Sequence, residues 1–393
     1  MTTLSKISTS SLPSSRVRTE APAVRAPVEA PRAPTTPKAD GFDASARSNF
    51  VDRPTGRRPS GTETQPAALL SKTASLKSVG DSKPVPLSGP PVVAVFDGGV
   101  DWNHTDLKDS MWTNPWEVAG DGLDNDGNGI QDDIHGFNVG FGSGDPLRGE
   151  GTDHGTHVAG IIAAADNGQG NTGVAAGKAQ ILSVGGIYDG ADLLTNFERS
   201  VDYVVDLKSK GANIRAVNAS FGDEYRDAAS QKRWKEAVQK LADADILLVA
   251  ATANGNGSNM NNVKDFPANL DLPNVLTVAS MDKRNDKLAR FSSHGDKVVE
   301  MAAVGEDVLS TVPGGDWEEM SGTSMATPRV AATAALMFAE NPKLTAAEVR
   351  DMLVATTEKD PDLKGKVSSS GKLDIDAAVA AARASAGRVA QAA

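Results

Sequence analysis

The sequence predicts a doubly wound α/β domain, a mainly parallel sheet with helices on both faces, preceded by an arm that builds no core. Three observations carry this prediction. A continuous apolar run of strand length at 92–96 is followed by mostly apolar runs of the same kind at 180–184, 216–221, 246–251 and 275–280. A strand that is apolar at every position is buried on both faces, as in a parallel sheet. Between these runs lie segments whose apolar residues fall on one helical face, and strands alternating with helices build α/β sheets. Finally, the composition changes at Pro91, with 12 of the chain's 21 prolines already passed.

Each element has its own signal. At 191–210, Leu194, Phe197, Val201, Val204 and Val205 share one helical face, and Gly211 stops the helix. The pattern repeats at 231–242 with Trp234, Val238 and Leu241. Thr345-Ala346-Ala347-Glu348 reads as a capping box opening a helix to about Thr356. An Ala-rich last helix is expected at 374–393, fraying into a tail from 386. Residues 1–88, rich in Ser, Thr, Ala and Pro, cannot bury enough apolar area to offset their ordering entropy. They are expected to be disordered, with a short helix at 67–77.

Composition narrows the function classes. The 393 residues contain no cysteine, which excludes disulfides, cysteine–zinc sites and a catalytic thiol. Residues 1–90 hold 13 Lys and Arg against 7 Asp and Glu, a balance of +6, so of the chain's net charge of −11 the remainder carries −17. An acidic body argues against nucleic acid and suits cations. No run approaches the 18 or so apolar residues of a transmembrane helix, and no signal peptide is visible at the N-terminus.

Four polar positions stand out against this frame. Asp97 follows the first apolar strand, where open α/β sheets place their ligands. His154 opens an apolar helix in Asp153-His154-Gly155-Thr156-His157-Val158-Ala159-Gly160. Asn254 follows the strand 246–251, directly before Gly255. Ser324 stands in the turn Gly322-Thr323-Ser324-Met325-Ala326-Thr327-Pro328 before another apolar helix. Taken singly these are a turn aspartate, a helix-start histidine, a turn asparagine and a capping serine. A metal reading of His154 and His157 lacks the third ligand at helical spacing that zincin-type sites require. Together they supply a nucleophile, a base for its proton, a carboxylate to orient the base and a donor for an oxyanion.

These motifs resemble the subtilisin-like serine proteases, including the chain order Asp, His, Ser. The resemblance runs from about Pro91 to Ala382 and implies a peptidase domain at 89–385 of the subtilisin type. It implies Asp97 orienting the imidazole, His154 as general base and acid, Ser324 as nucleophile and Asn254 as oxyanion donor, with His157 structural. The stretch Asn218-Ala219-Ser220-Phe221-Gly222 then looks like the edge strand that pairs with an extended substrate, with Ser220, Phe221 and Gly222 binding it and Ala251 and Ala253 on the strand lining the specificity pocket. An α/β-hydrolase esterase would require the order Ser, Asp, His and is excluded. A catalytically silent protein-binding module on the same fold is the alternative.

A structural calcium ion is the expected cofactor. Counted from Asp124, oxygens stand at positions one, three, five and nine (Asp124, Asp126, Asn128, Asp132), with a glycine at six. That is most of an EF-hand loop, without the glutamate at twelve. The resemblance also implies a second site at Asp106 and Asn167. Four departures from the family pattern are Gly98 for Ser or Thr, Ala253 for Gly, Arg329 for His and Ala303-Val304-Gly305 for Ala-Pro-Gly. Residues 1–88 lack the patterning of a folded pro-domain, so restraint would fall to calcium, compartment, a protein inhibitor or a secretion partner. A monomer acting on protein or peptide is expected, in the cytoplasm or exported by a route without a visible signal.

Overall fold

The apolar runs assemble, as their two-sided burial requires, into one nine-stranded sheet. The computed structural model describes residues 38–39, 87–284 and 286–392. In chain order the strands are β1 (Lys38–Ala39), β2 (Ser88–Phe96), β3 (Gly136–Asn138), β4 (Gln180–Gly185), β5 (Ala212–Ala219), β6 (Asp223–Glu224) and β7 (Leu247–Ala251). They continue with β8 (Asp265–Phe266), β9 (Val275–Met281), β10 (Met301–Val304), β11 (Val308–Val312), β12 (Asp316–Ser321), β13 (Glu358–Lys359) and β14 (Gly371–Lys372). The helices are α1 (Thr152–Ala163), α2 (Leu193–Ser209), α3 (Ala228–Asp243), α4 (Thr323–Glu340), α5 (Ala346–Ala355) and α6 (Ile375–Ala392). The large sheet runs β13-β14-β10-β9-β7-β5-β2-β4-β3, parallel except for the β13–β14 pair. Among the described residues no helix is long and apolar enough to cross a membrane.

Alternation along β2 shows how the sheet feeds two cores. Val93 and Val95 pack into the core that α1, α4, α5 and α6 cover. Val92, Ala94 and Phe96 pack into the opposite core, under α2 and α3, with Phe197 and Trp234 at its centre. Phe197 meets Trp234 at 4.6 Å and Phe96 edge-on at 5.9 Å between ring centroids. Helix starts are fixed as the side chains dictate. Asp192 caps α2 and Asp227 caps α3 through backbone N–H groups three residues on, and Thr345 with Glu348 completes the capping box of α5. Such caps contribute about 0.5–2 kcal/mol each.

Three expectations are corrected. Strand β5 ends at Ala219 rather than 221, because the Ser220 carbonyl accepts the Ser324 hydroxyl instead of continuing the ladder. It lies between β2 and β7, so Asn218 and Ala219 belong to a central strand, and Ser220, Phe221 and Gly222 follow its end. In the arm expected to lack structure, Lys38–Ala39 pairs in parallel with Met320–Ser321; the helix expected at 67–77 lies outside the described residues. The tail expected from 386 is helical, because α6 runs to Ala392.

Phe197 touches both the sheet and α3, so Phe197→Ala should cost about 3–5 kcal/mol of unfolding free energy. Urea denaturation followed by tryptophan fluorescence measures this, and a loss under 1 kcal/mol would contradict the packing described.

Candidate active site

Parallel strands deliver their C-terminal ends to one side of the sheet, and the polar positions collect there. Asp97 is the first residue past β2 and is fully buried. His154 stands in the first turn of α1, 2% exposed, with Nδ1 2.9 and 2.8 Å from the two Asp97 carboxylate oxygens. A carboxylate only accepts, so Nδ1 carries the proton and Nε2 is the basic nitrogen. The Gly98 N–H donates to Asp97 Oδ1 at 2.7 Å, and thus supports the carboxylate without a side-chain hydroxyl. The reason for a glycine there is steric. A Cβ on residue 98 would come within 2.2 Å of the Glu150 carbonyl oxygen and 2.4 Å of the Gly151 carbonyl carbon.

Ser324 opens α4, which packs directly on α1. Its hydroxyl donates to the Ser220 carbonyl at 3.1 Å, and the Ser220 hydroxyl donates to the Ser324 carbonyl at 2.9 Å. Asn218 Nδ2 donates to the same Ser220 oxygen at 2.9 Å. The end of β5 is thereby locked to the serine turn. The Asn254 side-chain oxygen accepts from the Thr323 N–H (3.0 Å) and hydroxyl (3.1 Å). A planar amide held by its oxygen turns its NH2 to the other side. Ser220, Phe221, Gly222, Ala251, Ala253, Asn254 and Ser324 all line one cavity of about 300 Å³. His157 takes no part. Its Nε2 donates toward the Val308 and Glu318 carbonyls, both at 3.0 Å, and steadies the β11–β12 hairpin that leads to Ser324.

The metal expectations divide. Asp124 and Asp126 come together with Glu117, a residue that spacing alone did not single out, with one oxygen of each within 4.8 Å of the others. Glu117 is 9% exposed; its Oε1 accepts from the Asn125 and Asp126 N–H groups, while its buried Oε2 has no hydrogen-bond partner among the described residues. Asn128 bridges Asp126 and Asp133. Asp132, expected as the fourth oxygen, instead accepts from the N–H groups of Gly120 and Gly122. Lys210 pairs with Asp126 at 3.1 Å. Asp133, raised from the usual carboxylate range by burial, is held by Tyr203, Asn114 and Asn128. The Asp106–Asn167 pair is a hydrogen-bonded knot. The Asn167 amide donates to Asp106 Oδ1 at 2.8 Å and the Trp317 indole to Oδ2 at 3.1 Å, so each oxygen already accepts one N–H group.

Sequence reasoning missed three residues of this region. Asn218 and Thr323 position Ser220 and Asn254, and Asp265 lines the cavity from a strand 59 positions before Ser324. A strand-end Asn and a Thr beside the serine were visible signals for the first two; Asp265 gave none.

Comparison with known proteins identifies the family. The model of the subtilase family matches residues 89–374. Subtilisin-like protease 1 of Plasmodium falciparum (isolate 3D7) is 33% identical over 306 residues, covering 73% of this chain and 43% of its own length. Subtilisin DY of Bacillus licheniformis is 31% identical over 268 residues, covering 67% of this chain and 82% of its own. The chain therefore spans less than half of the Plasmodium relative. The solved structure of the prenylagaramide maturation protease PagA superposes with a TM-score of 0.55 at 27% identity, over 74% of this chain and 93% of that one.

Gly98→Ser introduces the hydroxyl that the sequence resemblance implies, yet it should lower both melting temperature and peptidase activity, because its Cβ meets backbone of residues 150–151. Unchanged values in a thermal melt and a casein assay would show that this loop yields freely.

Proposed function

We propose, for a chain that belongs to the subtilase family and is a serine-type peptidase, that it cleaves internal peptide bonds of extended polypeptide through Asp97, His154, Ser324 and Asn254. The buried Asp97–His154 pair is the observation that carries the reading. Asp97 fixes the tautomer that leaves Nε2 basic and stabilises the imidazolium once it forms. His154 takes the proton of Ser324 as its oxygen attacks the substrate carbonyl, then returns that proton to the departing amine. Water repeats the sequence on the acyl-enzyme. The developing oxyanion is met by the Asn254 NH2 and the Ser324 N–H at the start of α4. The orientation of Asn254 through Thr323 supports that role, because the donor is set before charge appears. The Ser324 hydroxyl, which donates to the Ser220 carbonyl at 3.1 Å, would deliver its proton to Nε2 during attack. Residues Ser220 to Gly222, beyond the last ladder bond of β5, are the backbone on which an extended substrate lies.

Calcium is the second part of the proposal. Glu117, Asp124 and Asp126 would hold it, with the unpartnered Glu117 Oε2 supporting the assignment. The ion would neutralise clustered carboxylates and tie down the loop between the Asp97 and His154 segments.

Ser324 should be labelled by a fluorophosphonate, and Ser324→Ala should abolish both labelling and casein hydrolysis; full activity in that variant excludes the mechanism. Asn254→Ala should lower kcat by about 10²–10³, a magnitude taken from the same donor in subtilisin, with KM little changed. An effect on KM alone would remove Asn254 from the oxyanion site.

Added calcium should raise the melting temperature of chelator-treated protein, by about 2.7 kcal/mol of stability at one hundred times Kd. Glu117→Gln should remove that gain. A wild-type melt indifferent to calcium would exclude the site.

A further inference from the structure

The cavity beside Ser324 carries an acid that the peptidase chemistry does not use. Asp265 is 3% exposed and lines the same cavity as Ser324 and Asn254. Its backbone is pinned, with the N–H donating to the Asn269 side-chain oxygen at 3.1 Å and the carbonyl accepting the Asn269 N–H at 2.8 Å. Its carboxylate is not: Oδ2 is buried and has no hydrogen-bond partner among the described residues. The carboxyl lies directly against Gly222, where a Cβ would come within 2.6 Å of Oδ1. The substrate-binding segment thus carries no side chain at the one place where it would cover this acid.

The surroundings add negative charge and no positive charge. Strand β6 pairs with β8 in the register Asp223↔Phe266 and Glu224↔Asp265, and both acids also line the cavity. No Lys, Arg or His is among the lining residues. Arg226, 3.0 Å from Glu224, and the exposed Lys264 both stand outside it. The remaining walls include Ala251, Ala253, Met260 and Val263. Burial, with Asp223 and Glu224 adding to it, pushes the Asp265 carboxyl up to about 7.

We propose that this cavity is the primary specificity pocket and that Asp265 selects substrates with lysine or arginine as the residue whose carbonyl Ser324 attacks. The inference rests on the reading of Ser324 as nucleophile. A long cationic side chain lays its methylenes along apolar walls and brings its charge to the carboxylate. A carboxylate in the primary pocket sets basic specificity in proteases of unrelated fold by the same chemistry. An aliphatic or aromatic guest would instead seal an unpaired carboxyl away from water, which is the configuration binding sites reject most strongly. The cation also draws the Asp265 proton off, because an opposite charge at short range favours the ionised form.

The test compares kcat/KM for matched peptide anilides that end in Lys, Arg, Phe or Leu. Lys or Arg should exceed Phe and Leu by about 100-fold. Asp265→Asn should cut the Lys-to-Phe ratio by roughly 30-fold or more. The wild-type ratio should rise as pH increases through about 7, as Asp265 loses its proton, because ionisation of the triad cancels between substrates. A second measurement needs only the native protein: benzamidine should slow fluorophosphonate labelling of Ser324, while neutral benzamide at the same concentration should not. A preference for Phe or Leu, or equal effects of benzamidine and benzamide, overturns the inference while Ser324 labelling leaves the peptidase reading standing. Absence of both labelling and hydrolysis overturns the two together.

Discussion

A buried carboxylate that must be fed with donors is the constraint on which the site depends. Asp97 is fully buried at the end of β2, and its oxygens are met by His154 Nδ1 and the Gly98 N–H. Removing any donor would strand a charge in a low-dielectric interior, a far larger penalty than a typical surface ion pair contributes. That requirement fixes where α1 starts, since His154 has to stand in its first turn. It also brings the 150–151 backbone so close to residue 98 that only a glycine fits. The departure from the family pattern at Gly98 is therefore a matter of local packing, and the backbone N–H takes over the support of the carboxylate.

The serine side is organised by the same logic through neutral groups. Ser220 and Ser324 exchange hydroxyl and carbonyl bonds, Asn218 anchors Ser220, and Thr323 anchors Asn254. These contacts join the ends of β5 and β7 to the first turn of α4. Three elements distant in sequence thus share one small network. Rigid strands position its members more sharply than a loop would.

The parts legible in the sequence are those that periodicity and local chemistry encode. The all-apolar strands, the amphipathic faces of α2 and α3 and the capping box of α5 all follow from near neighbours. The four polar positions were legible because each sits at the end of an element whose signal is strong. What escaped depends on long-range contact. Glu117 and Asp265 carry no motif; their importance lies in what stands opposite them. Counting loop positions selected Asp132 by EF-hand spacing, but the chain turns at Gly120 and Gly122 and spends that carboxylate on their N–H groups. Asp106 and Asn167 are adjacent as expected, and the Trp317 indole, from the β11–β12 hairpin, joins them in a way that no local spacing signals. Ala253 drew attention as a wall of the pocket, while the acid that most changes the pocket's character lies on β8.

Buried acids in this fold are best told apart by how their oxygens are satisfied. Asp97 is met by a histidine and a backbone donor, Asp106 by an indole and an amide, and Asp133 by Tyr203, Asn114 and Asn128. Each of these is complete within the described chain, and each holds elements together. Glu117 and Asp265 differ, since each keeps one buried oxygen without a hydrogen-bond partner among the described residues. Burying such a group is costly unless something outside the chain supplies the missing charge. At Glu117 two further carboxylates converge within 4.8 Å, an arrangement that suits a divalent ion bound by oxygen alone. At Asp265 the cavity has apolar walls and is also lined by the nucleophile candidate, which suits a monovalent charge on a flexible stem. The surplus negative charge of the folded part, set against a basic first segment, would favour the approach of cationic partners to both.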